Sequence, residues 1–86
     1  MSTATHQKWA DSLPPEERML VVLRNELYSG SWDRMLADLK DRLKGRPYIF
    51  KLVNRIQDDI SRIEKLQDYE KKNNVNLAEF IKGEKA

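Results

Sequence analysis

The sequence predicts an all-α protein: a small bundle of three helices with a long third helix, followed by a short C-terminal helix. Three observations carry this. Apolar residues recur at helical spacing through three segments that cover about two-thirds of the chain. Three Gly and three Pro in 86 residues are too few for an all-β protein, which turns every ~8–12 residues. Charged residues make up 35% of the chain yet cancel to a formal net charge of +2, which suits helices with solvated, paired faces rather than a polybasic tail.

The first helix is expected over about 15–29. Pro15 suits a first turn, Glu16 and Glu17 complement the helix dipole, and Gly30 supplies the end. Met19, Leu20, Leu23 and Leu27 form its apolar stripe. The second runs over about 32–44, with Ser31 as N-cap, Asp33 in the first turn and Gly45 at the end. Trp32, Met35, Leu36, Leu39 and Leu43 fall on one face, so Trp32 is read as core. The third runs over about 47–72. Ile49, Val53, Ile56, Ile60 and Ile63 are spaced 4, 3, 4, 3, a heptad-like seam that Leu52 and Leu66 widen. Asn73 and Asn74 break the pattern. Asn76 with Glu79 reads as a capping pair for a fourth helix over about 77–82, with apolar Leu77, Phe80 and Ile81 and with Gly83 at its end. Residues 1–10 are small and polar apart from Trp9 and are expected to be a disordered segment ahead of a single helical domain, 11–86.

Composition narrows the function classes. A chain of this length buries roughly 60–65% of its unfolded surface, so its core is marginal. There is no Cys, hence no disulfide and no thiolate metal site. No apolar run approaches the ~18 residues that span a membrane. The first residues, MSTATHQKW, lack the pattern of a signal peptide. The expectation is a cytoplasmic protein with no membrane association.

Catalysis is not expected. His6 has no metal-binding or catalytic company, and Ser29 and Ser31 lack a neighbouring general base. Asp58 and Asp59 diverge by 100° on a helix and are explained by i,i+4 pairing, Arg55 with Asp59 and Asp58 with Arg62. The glycines show no phosphate-loop spacing. No catalytic residue, metal ligand, cofactor or small-molecule substrate is assigned.

The stretch KGRPYIFKLVNRI, 44–56, poses a choice between a basic-aromatic surface and a core helix. On a helical wheel its aliphatics fall within roughly 100°, with Lys51 and Arg55 opposite. Bases stack where aromatic and basic residues share a surface, and here they do not. Phe50, off the main stripe, is expected to pack within the bundle. The charges still leave an alternative function. Lys40, Arg42, Lys44, Arg46, Lys51 and Arg55 face Asp41 alone between residues 40 and 55, and a tight turn could gather them into a phosphate-binding node for nucleic acid.

Helix lengths give the leading expectation. At 1.5 Å per residue the first two helices span about 20–22 Å and the third about 39 Å. Ile60, Ile63 and Leu66 then project beyond the reach of the first two helices. Left exposed they would form a sticky patch. Either the C-terminal helix, through Phe80 and Ile81, or a second protomer must cover them. The expected function is therefore a protein–protein interaction or regulatory module that self-associates as a homodimer through the long helix, with Ile60, Ile63, Leu66, Phe80 and Ile81 as its partner-binding residues.

Overall fold

The computed structural model describes residues 3–45 and 49–81, with the backbone alone at Thr3. Along these residues run α1 (Thr3–Asp11), α2 (Pro15–Leu27), α3 (Trp32–Gly45) and α4 (Phe50–Asn73), then a 3-10 turn, Leu77–Glu79. No strand occurs among the described residues. The all-α bundle is as the sequence predicts, and the helix count is one higher.

The local chemistry follows the sequence where caps are strong. Ser31 caps α3, its Oγ accepting from the Arg34 backbone N at 3.2 Å. Asn74 takes the left-handed conformation at the end of α4 (φ 52°), a position where Asn substitutes for Gly. Its N–H returns to the Glu70 carbonyl, and Val75 follows to the same oxygen. The Asn76 side chain caps the 3-10 turn through the Ala78 N–H at 3.0 Å. The expected start of the third helix at Pro47 lies outside the described residues, as do Arg46, Tyr48, residue 82 and Gly83.

Three expectations are corrected. The segment expected to be disordered, 1–10, is helical from Thr3 onward. His6, Ala10 and Leu13 sit at i, i+4 and i+7 and are 5%, 0% and 6% exposed, so α1 forms because it has a face to bury. The expected C-terminal helix is a single 3-10 turn in which Phe80 and Ile81 both donate to the Leu77 carbonyl. The inward face of α2 is not the predicted stripe. Met19 and Leu27 are exposed, and Glu17, Leu20, Val21 and Arg24 are buried. The face rotates because polar partners draw two charged residues inward. Lys65 on α4 reaches both Glu17 oxygens at 3.0 and 3.1 Å, and Arg24 enters a network around Glu70.

That network holds the far end of the bundle. Glu70 accepts from Arg24, from Trp32 Nε1 at 2.6 Å and from the Leu77 backbone N at 2.7 Å. Arg24 also donates to the Asn76 side chain and lies 4.2 Å over the Trp32 ring. One carboxylate thus links α2, α3, α4 and the C-terminal segment. Trp32 is core, as predicted. No buried side-chain nitrogen or oxygen lacks a partner among the described residues, which is what a buried charge network requires.

Candidate docking surface

The overhang of α4 is closed within the chain. Ile63 and Leu66 are 0% exposed in one core with Ala10, Leu13, Leu77 and Ile81. Tyr69 stacks on Trp9, with ring centroids 3.6 Å apart at 5°, and its hydroxyl meets His6 Nδ1 at 2.8 Å. Gln7 donates to the Phe80 carbonyl at 3.1 Å, tying α1 to the C-terminal segment. Of the five predicted partner-binding residues, Ile63, Leu66 and Ile81 are therefore interior and present no surface. Ile60 and Phe80 remain half-buried. The physical reason is α1, which supplies the cover that length arithmetic on the later helices leaves out.

Among the described residues the predicted basic cluster does not converge on one surface. Lys40 and Lys44 lie on one flank of α3, and Arg42 lies roughly 160–200° away on the other. Arg42 pairs with Asp38 at 3.1 Å. Arg42 and Arg55 line a hollow of about 340 Å³ among α2, α3 and α4. Lys51 and Arg55 line an adjoining one of about 640 Å³ together with Glu16, Asp58 and Asp59. Acids thus interleave with these cations. Asp59 pairs with Arg62 at 2.9 Å rather than with Arg55 as expected. Arg46 lies outside the described residues.

What the structure leaves open is the other flank of the α3–α4 pair. The two helices run antiparallel across the short connection. Gln67 donates to Asp33 at 3.1 Å, which fixes the flanks that meet. On the wheel, Asp33 shares its side of α3 with Leu36, Lys40, Leu43 and Lys44. Gln67 shares its side of α4 with Ile49, Val53, Ile60 and Glu64. Leu36, Leu43, Ile49, Val53 and Ile60 are all half-buried. Phe50, at the edge of this flank, is 78% exposed, contrary to the expectation that it packs inside. The cause is geometric, since α1 and α2 pack elsewhere and nothing among the described residues covers the flank. The sequence signal was present, in a stripe wide enough to face two directions, but not which side would be covered.

Among the described residues no helix is long and apolar enough to cross a membrane. No three His, Asp or Glu side chains among them are placed to hold a metal ion. No family model, curated protein or solved structure matches this chain.

Proposed function

We propose that this chain is a small protein–protein interaction module that docks its partner on the α3–α4 flank. The observation that carries the reading is Phe50, 78% exposed beside five half-buried aliphatic side chains. Fully burying one such side chain contributes roughly 1.5–3 kcal/mol, so a partner that completes the burial of several gains a substantial driving force. A polar fringe of Lys40, Lys44 and Glu64 surrounds this apolar centre, the composition expected of a docking patch. The proposal includes no catalytic step. It places the protein in the cytoplasm, where a chain without Cys suits a reducing compartment.

A photo-crosslinking amino acid at Phe50, in the full chain in living cells, tests this. The expected result is a nuclease-resistant adduct of defined protein mass, lost on Val53→Lys and absent when the probe replaces exposed Arg18 on α2. No adduct at Phe50, or equal adducts at both positions, overturns the reading. A second reading, nucleic-acid association, is supported by Lys40 and Lys44, which make no ion pair among the described residues. It expects nuclease-sensitive adducts and salt-dependent retention on heparin that Lys40→Glu with Lys44→Glu abolishes.

A further inference from the structure

We infer that the hollow among α2, α3 and α4 binds a free fatty acid, with one acyl chain on its apolar base and the carboxylate held by Arg42 and Arg55. The inference goes beyond the docking reading and uses a different face of the bundle.

The placement of α2 builds the hollow. Lys65 holds Glu17, near the start of α2, against the later half of α4. At the other end of α2 the Tyr28 hydroxyl donates to Asp38 on α3. The helix therefore crosses from α4 to α3, and it leaves the last turns of α3 and the first turns of α4 open along its edge. Leu20, Met35, Leu39 and Ile56 line the base and are buried. Leu23 and Leu52 are half-buried at the sides. Leu27 is 68% exposed. It shares a face of α2 with Leu20 and Leu23, seven and four residues earlier, so a chain lying along α2 meets all three. An acyl chain here covers an exposed leucine for which the fold supplies no cover among the described residues.

Size and charge identify the occupant. A volume of about 340 Å³ lies at the low end of the ~300–1,000 Å³ of small-molecule sites. It admits one acyl chain and not the two-chained body of a bilayer lipid. The charged residues of the lining are Arg42, Arg55 and Asp59. Asp59 is engaged by Arg62 Nη1 at 2.9 Å. Arg42 gives Nη2 to Asp38 at 3.1 Å and retains further N–H donors. The Arg55 side chain makes no ion pair among the described residues. The hollow thus carries an excess of guanidinium beside an apolar base, and guanidinium matches a carboxylate with two parallel hydrogen bonds. The adjoining hollow has no such excess. There Lys51, Arg55 and Arg62 stand against Glu16, Asp58 and Asp59.

The test is calorimetric titration of decanoate, below its micelle-forming concentration, into the purified full chain. The expected result is saturable binding of one decanoate per chain with Kd below ~1 mM. Decyltrimethylammonium, a cation with the same chain, should bind at least ~ten-fold more weakly. Arg55→Glu should weaken decanoate about ten-fold and strengthen the cation. Leu27→Glu should weaken decanoate as well. Both side chains are exposed, so circular dichroism should stay helical. Arg18→Gln, on the opposite side of α2, and Val53→Lys, on the docking flank, should leave decanoate binding unchanged. Absence of saturable binding overturns the inference. So does uptake of many decanoates per chain, equal affinity for the anion and the cation, or a Kd indifferent to both Arg55→Glu and Leu27→Glu. Binding lost instead on Val53→Lys would place the acid on the docking flank and overturn this site. A chain that pellets with phosphatidylglycerol vesicles yet takes up no decanoate would make a bilayer the occupant and overturn the free acid. The docking reading stands or falls separately, on the Phe50 adduct.

Discussion

Arg24 on α2 and Glu70 on α4 form a buried ion pair: one guanidinium nitrogen, Nη1, donates to both carboxylate oxygens, at 2.8 and 2.9 Å, with the Arg24 side chain 2% exposed. The pair is sustained by everything around it. The Trp32 ring lies under the guanidinium, and Trp32 Nε1 and the Leu77 N–H occupy the carboxylate's remaining acceptor capacity. Buried charges are tolerated only when satisfied in this way.

Glu70→Ala should therefore be among the most damaging single substitutions. It leaves Arg24 charged and buried without a counter-ion, and it orphans two donors. Removing one member of a buried pair costs about 3–5 kcal/mol. A domain this small has a total stability near the low end of ~5–15 kcal/mol, so the variant should be largely unfolded at 25 °C. Urea denaturation followed by circular dichroism checks this. A loss under ~1 kcal/mol would mean that the pair is solvated in solution.

Leu39→Ala probes the opposite end of the argument, a core position legible from spacing alone. Leu39 is 8% exposed at the centre of the α3 stripe. Truncating it should cost about 2–5 kcal/mol, measured by the same denaturation. A cost below ~1 kcal/mol would place the stripe in solvent.

The contrast between these two positions explains how much the sequence discloses. Leu39 declares itself because its neighbours at three and four residues are also apolar, and local periodicity is all that a helix face needs. Arg24 gives no such sign, because its burial depends on a carboxylate 46 residues away. The same limit hides α1. Of His6, Trp9, Ala10 and Leu13, two look polar or neutral, and a nine-residue helix is marginal until it packs. It also hides the open α3–α4 flank. Ile60 and Ile63 belong to one seam three residues apart, yet Ile63 is 0% exposed and Ile60 half-buried. Spacing identified the seam, and only the placement of α1 and α2 decides which edge of it stays open.

Ala10→Glu should detach α1. Ala10 is 0% exposed, so a carboxylate there has neither room nor a partner. Undocking α1 uncovers Ile63, Leu66 and the Tyr69 ring. The expected outcome is increased binding of a hydrophobic dye, a change in Trp9 fluorescence as its stack with Tyr69 is lost, and a lowered denaturation midpoint with α2, α3 and α4 still helical. A variant with wild-type dye binding and stability would show that α1 is dispensable as a cover for α4.

Tyr28 sets an alkaline limit on stability. Its hydroxyl donates to Asp38, and that hydrogen bond raises its pKa above the ordinary 10.0; burial and the negative charge of Asp38 push the same way, and Arg42 opposes them in part. The folded state thus holds the phenol proton more tightly than the unfolded chain does. Below pH ~10 both states keep the proton, and the full contribution is present. As pH rises past 10.0 the unfolded phenol ionises first, so stability falls until pH exceeds the raised folded value. Subtracting the phenolate absorbance titration of Tyr28→Phe from that of the wild type isolates this one group and should place its midpoint above 10.0. Asp38→Asn takes the negative charge off the acceptor, which weakens the hydrogen bond that is the largest cause, and should bring the midpoint back toward the ordinary value. Urea midpoints of wild type and Tyr28→Phe should converge as pH rises through the same window, because only the wild type has this bond to lose. A Tyr28 midpoint at or below 10.0, unchanged by Asp38→Asn, would mean that the bond from the end of α2 to α3 does not persist in solution.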